Sequence, residues 1–368
     1  MRLAIVTASV GQGHNSVALA LQEAFQLEDP NIKIKIFDVL DDSRVYQFFT
    51  NVYLQVITKN PSIYSKIFYW SQQHQQASSI ISYLNFVCFK TLKKMKQSFQ
   101  PDAFIFTHPI PTNSYNATIK IPAWTIITDY SYHPIWYNSD ITGYFVANDH
   151  LQNQLLKNKY PIESIFNTGL PIKQSFTTGK KVYKPLIQYP DTHPLILIMG
   201  GGLGIGALNS IVEKLETIDF PFQGLIVTGK NERLYWEMKK LENRDSKKWE
   251  IISFTNEIPS LMKKASLLIT KAGAITLTEA QACELPTIIY NPIPGHEEEN
   301  AHCVCQQGWA TWAKTPEELI HMTTDLLVSS NRLKSMRECT MKFARPSAAS
   351  DITKIISSHL SVPFRGTI

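Results

Sequence analysis

The chain has 368 residues, 44% hydrophobic content and a formal net charge of +5. It has no apolar run long enough to span a bilayer, so an integral membrane protein, a disordered tail and a small disulfide scaffold are all excluded. The charge is unevenly placed: the 59 residues between Asp42 and Asp102 contain no acid but carry Arg44, Lys59, Lys66, Lys90, Lys93, Lys94 and Lys96, so this segment is +7 and the rest of the chain −2.

In chain order, MRLAIVTA followed by glycines predicts a first strand over residues 2–8 running into a loop, not a signal peptide. The loop Ser9, Val10, Gly11, Gln12, Gly13, His14 opens a helix. A dinucleotide fingerprint wants a third glycine where Ser16 stands, although Asp38 at the end of the second strand (32–38) keeps that reading open. His14 is the more informative residue, because a helix N-terminus favours a neutral imidazole, which can act as a base or simply cap the helix.

The basic segment follows. Val45, Phe48, Phe49, Val52 and Val56, and then Leu84, Cys88, Leu92, Met95 and Phe99, recur at helical spacing. It also holds 12 of the chain's 40 aromatics, so an amphipathic basic face for an anionic partner is expected. Further strands are predicted at 103–107, 123–128 and 143–147. Residues 171–194 carry four prolines and read as a linker.

Beyond the linker come strands at 195–199, 223–228, 249–254, 266–270 and 286–290. Continuous apolar strands alternating with helices predict parallel sheets covered on both faces. Two glycine turns, 200–206 and Thr270–Thr276, each lie between a strand and a helix, where backbone N–H groups can cradle phosphate. Glu279, in the helix after the second turn, suits ribose hydroxyls. The five cysteines are odd in number and spread out, as for reduced thiols in the cytosol, and His302, Cys303 and Cys305 lack zinc-site spacing.

Five blocks carry a family resemblance: GQGHNSVALAL from Gly11, TDYSYHPIW at 128–136, NTGLPI at 167–172, LIMGGGLGIG at 197–206, and TKAGAITLTEAQACELPTIIYNPIPGHEEENA at 270–301. On these the chain resembles the diacylglycerol glycosyltransferases of family 28, the group of monogalactosyldiacylglycerol synthases and processive diacylglycerol glucosyltransferases. The resemblance implies an inverting GT-B enzyme, with two Rossmann-like α/β domains whose parallel sheets face a central cleft. The domains are expected at 1–170 and 195–345, with 346–368 forming a helix that returns to the first.

The resemblance implies that Gly202, Gly204 and the turn Gly273, Ala274, Ile275, Thr276 hold the diphosphate of a UDP-sugar. It places Glu279 on the ribose, Phe254 by the uracil, and Gly295, His296, Glu297 and Asn300 on the sugar; His296 stands where the family usually has Gln. His14 and Asp129 would be catalytic, and Gly13, His108, His133 and Trp136 would form the acceptor site. Lys90, Lys93, Lys94 and Lys96 would meet an anionic membrane on the inner face of the cell membrane. No Asp-x-Asp triplet occurs, so neither a metal nor another cofactor is expected, and no nucleic acid. The competing expectations are an N-acetylglucosamine transferase acting on a polyprenyl-linked acceptor, a UDP-sugar epimerase, and a non-catalytic nucleotide- or lipid-binding protein.

Overall fold

The computed structural model describes residues 1–41, 50, 52, 55–57, 60–73, 79–178, 193–201, 208–243 and 248–361. It divides into two compact units, Met1–Gln174 with Arg345–Ile368, and Ser175–Ala344. Each is built on a six-stranded parallel sheet.

In the first unit the strands are β1 (Arg2–Thr7), β2 (Lys33–Asp38), β3 (Ala103–Phe106), β4 (Ala123–Ile126), β5 (Gly143–Val146) and β6 (Ile165–Asn167), in the order β2-β1-β3-β4-β5-β6. β3, β4 and β5 are buried along their whole length, as parallel strands covered by helices on both faces must be. Helix α1 (Gln12–Glu28) follows β1, and α2 (Pro61–Gln73) and α3 (Ser79–Phe99) lie in the chain between β2 and β3. The expected stripe on α3 packs inward, with Cys88, Leu92 and Met95 buried in the core. Of the first expected stripe, Val45, Phe48 and Phe49 lie outside the described residues; Val52 is exposed and Ile57, beside Val56, is buried.

The second unit has β7 (Leu195–Met199), β8 (Gln223–Val227), β9 (Lys248–Ile252), β10 (Leu267–Thr270), β11 (Thr287–Tyr290) and β12 (Ala310–Ala313), ordered β12-β11-β10-β7-β8-β9. This is the doubly wound arrangement, in which the chain winds outward in both directions from a central pair. In each sheet the order reverses at one point, between β1 and β3 and between β7 and β10. In folds of this kind the loops leaving the carboxyl ends of such strands diverge, and ligands bind where they part.

Among the described residues, β6 and β12 were not anticipated from sequence. Both are edge strands of three and four residues, and each carries a polar residue, Asn167 or Thr311, in place of a continuous apolar run. Helix α4 (Pro109–Ser114) follows β3. In the second unit, α5 (Ala274–Ala282) follows β10 and α6 (His296–Gln306) follows β11. The last helix, α7 (Ala348–Ser361), packs on α1 of the first unit and buries Ala348, Ile352 and Ile356. Its His359 meets the rings of Trp124 and Phe166 edge-on. Among the described residues no helix is long and apolar enough to cross a membrane.

Candidate active site

In the first unit the reversal point is lined by the loop after β1, the start of α1 and the loop after β3. Asp38 accepts hydrogen bonds from the backbone N–H groups of Ser9 and Leu40, so its carboxylate braces the β1 loop. That employment removes the ribose role which the dinucleotide reading would have given it. Asn15 extends the bracing, donating to Ser9 Oγ at 2.7 Å and accepting from Thr7 Oγ1 at 3.1 Å.

His14 is the third residue of α1, behind Gly11 and Gly13. The helix starts at Gly11 with no side-chain cap and no acid in its first turn, so its N–H groups and dipole disfavour a cation there. The His14 Nδ1 lies 2.8 Å from the Thr107 carbonyl oxygen and 3.0 Å from Thr128 Oγ1. A carbonyl oxygen can only accept, so Nδ1 carries a proton and Nε2 is the ring's other, basic nitrogen. Thr107 directly follows β3, and Thr128 lies just beyond β4, one residue before half-buried Asp129.

The His14 ring stands edge-on to that of His108, with centroids 4.6 Å apart. His108 is buried and caps α4, its Nδ1 accepting from the Ile110 N–H at 3.1 Å. Burial first, and the neighbouring His14 second, push its pKa well below 6.5, so it stays neutral. His133 repeats the device: it also precedes a proline, and its Nδ1 accepts from the Ile135 N–H at 3.2 Å to cap the short turn Pro134–Trp136. Trp136 itself is 2% exposed and belongs to the core.

In the second unit Thr270 Oγ1 donates to the Met199 carbonyl at 2.8 Å and ties the ends of β10 and β7 together. Gly201 adopts φ +75°, and Lys271 lies across it, its Cε 3.1 Å from where a Cβ would stand. The positive φ favours glycine there, and any side chain would also push Lys271 aside. The Lys271 ammonium pairs with Glu297, whose other oxygen accepts from the Ile293 N–H at 2.8 Å. Gly273 starts α5 without a side-chain cap, leaving its first N–H groups for an anion.

The expected sugar contacts divide. Glu297 is 2% exposed and Asn300 fully buried; Asn300 donates to the Ala272 carbonyl at 3.2 Å. Both therefore fasten the loop after β11 to the turn after β10. Gly295, with φ +89°, turns the chain into α6, and half-buried His296 follows. Within the turn itself Ala274 and Ile275 are buried and Thr276 and Glu279 half-buried. Gly202 and Gly204 lie outside the described residues.

Phe254, beyond the end of β9, is half-exposed, and Lys230 Nζ stands 5.3 Å from its ring centroid. Lys96, expected at a membrane, instead donates to the Ile119 carbonyl, while Lys90, Lys93 and Lys94 are exposed. Lys271, Thr107, Thr128 and Lys230 were missed from sequence. Lys271 had a signal, since it stands in the TKAG turn; the others act through contacts between segments distant in sequence, which no spacing reveals. Among the described residues no cluster of His, Cys, Asp or Glu is suited to a metal ion.

Residues 14–172 match the sequence model of monogalactosyldiacylglycerol (MGDG) synthase, and residues 195–352 that of the glycosyltransferase family 28 C-terminal domain. The processive diacylglycerol beta-glucosyltransferases of Bacillus cytotoxicus and Bacillus cereus (strain AH187) are each 30% identical over 366 residues, covering 96% of this chain and 93% of theirs. Among solved structures, MurG of Acinetobacter baumannii superposes with a TM-score of 0.62 at 19% identity, covering 97% of this chain and 99% of that one. The UDP complex of MnaA from S. aureus gives 0.68 at 13%, covering 100% and 99%. These two share the fold, two doubly wound α/β units of the GT-B class. With both halves matched in order and the relatives aligned almost end to end, the chain belongs to the diacylglycerol glycosyltransferase family.

Proposed function

We propose that the protein transfers a hexose from a UDP-sugar to diacylglycerol, or to a glycosyl-diacylglycerol, with inversion at the anomeric carbon. The observation that carries this reading is the fixed tautomer of His14: the Thr107 carbonyl holds the Nδ1 proton, which leaves Nε2 to take one from an acceptor hydroxyl. The deprotonating oxygen attacks the anomeric carbon opposite the departing UDP, and the C–O bond to the β-phosphate breaks. Asp129, next in the chain to Thr128, stabilises the imidazolium as it forms.

The second unit holds the donor. Gly202, Gly204 and the N-terminus of α5 from Gly273 to Thr276 take the diphosphate, with Lys271 as the adjacent cation. Glu279 binds the ribose, and Phe254 with Lys230 forms a platform for the uracil. Gly295 and His296 face the sugar, while Glu297 and Asn300 set the loop that presents them. Backbone dipoles and Lys271 meet the charge on the leaving UDP, so no divalent metal is needed and excess EDTA should leave activity intact.

The acceptor is reached from the membrane surface. On α3, Phe86, Lys90, Lys93 and Lys94 face outward, and on α2 so do Ile63, Lys66, Ile67 and Trp70. Each lysine adds about 1 kcal/mol of attraction to an anionic leaflet, and the apolar residues insert shallowly. The deciding experiment offers UDP-glucose, UDP-galactose and UDP-N-acetylglucosamine separately with diacylglycerol vesicles and resolves the lipid products. A glycolipid from one of the hexoses is expected; UDP release without a lipid product would overturn the reading.

A further inference from the structure

Helix α2 combines an outward apolar face with a weak hold on its own unit. Ile63, Ile67 and Trp70 are 50%, 54% and 57% exposed, and none of residues 61–72 is fully buried. A helix without a core anchor has little packing energy to fix its angle. One polar contact ties it to the loop that follows β4. Ser71 Oγ lies 3.1 Å from His133 Nε2 and donates to the Phe68 carbonyl at 2.8 Å, while the Phe68 ring lies 4.7 Å from the imidazole.

The direction of the contact follows from the other ring nitrogen. His133 Nδ1 accepts from Ile135, so Nε2 bears the proton and donates to Ser71. The turn that His133 caps is itself fastened to α4. Asn113 donates to the Ile135 carbonyl, and Asn138 donates to the carbonyls of Thr112 and Tyr115 at 2.7 and 2.9 Å. Helix α4 begins at His108, whose ring abuts His14. One continuous set of contacts therefore runs from α2 to the proposed base.

We propose that His133 is a positioning residue, a latch that sets the angle of α2 relative to the His14 loop so that an acceptor headgroup at the bilayer surface is presented to Nε2. This rests on the membrane-surface reading above. It differs from the acceptor contact expected of His133, because Ser71 becomes as important as His133 and neither touches the sugar or the lipid.

The test compares Ser71→Ala, His133→Asn and the double variant; Asn keeps the capping acceptor and loses the ring. Activity is measured on diacylglycerol in anionic vesicles and on a dispersed short-chain diacylglycerol. Both single variants should raise the KM for vesicle acceptor about fivefold, the share of one hydrogen bond, and the double should be no worse than either. The kcat, the UDP-sugar KM and turnover of the short-chain acceptor should not change. Loss of kcat on both acceptors in His133→Asn, with Ser71→Ala unaffected, would make His133 an acceptor contact and overturn the latch.

A second readout separates the latch from the membrane reading. In the absence of vesicles, the amides of residues 61–73 should exchange hydrogen faster in both variants than in wild type. Unchanged exchange overturns the latch. Faster exchange in a protein that neither sediments with anionic vesicles nor prefers vesicle acceptor would keep the latch and overturn the membrane reading.

Discussion

His14, His108 and Lys271 each owe their chemistry to a neighbour that fixes one atom. His14→Ala should lower kcat by about 10²–10⁴-fold with UDP-sugar binding unchanged; retention of more than a tenth of the rate would remove it as the base. His108 stays neutral when folded but takes a proton near pH 6.5 when unfolded. The folded state thus binds fewer protons in acid, and stability present above about 6.5 declines as pH falls below it, by up to about 1.4 kcal/mol per pH unit. Thermal melts of His108→Asn across pH 5–8 should lose that slope. Lys271→Met strands the buried Glu297 carboxylate and should cost about 3 kcal/mol, the low end for breaking a buried pair. Adding Glu297→Gln should restore the melting temperature, yet UDP binding measured by calorimetry should stay weak in both variants. Histidines 14 and 108 and the TKAG turn were legible because glycine loops and proline neighbours mark them. The backbone carbonyl that selects the His14 tautomer was not, since it comes from a strand 93 residues away.

Among the strands, apolar runs such as Leu195–Met199 announced themselves, whereas β6 and β12 did not, because a strand of three or four residues at a sheet edge needs no apolar run of its own. Sequence also could not tell which lysines of α3 face outward. Lys96, one turn from the helix end, spends its charge on Ile119, and only its three predecessors remain exposed. Neutralising Lys90, Lys93 and Lys94 together should abolish most binding to anionic vesicles in a sedimentation assay, while Lys96→Gln should leave binding near wild type. Pairing between strands imposes its own constraint on β8. Gly224 stands opposite Trp249 of β9, and a Cβ there would come within 2.1 Å of the indole. Gly224→Ala should therefore destabilise the second unit by about 1–3 kcal/mol in denaturant unfolding.

At the scale of the molecule, the units part between Gln174 and Ser175, and the packing shows where the chain crosses back. Gly169, at φ +87°, has no room for a side chain because Arg345 and Ala348 lie against it. The same return brings α7 onto α1 and places His359 by Trp124 and Phe166. The second unit is thus an insertion within the first, which is closed only by residues that follow the second unit in the chain. On the ribosome, the 170 residues of the second unit are complete before the first can be. Until α7 emerges, the face of α1 that it covers stays open, and the nascent amino-terminal unit carries the exposed apolar surface that makes folding intermediates prone to aggregate.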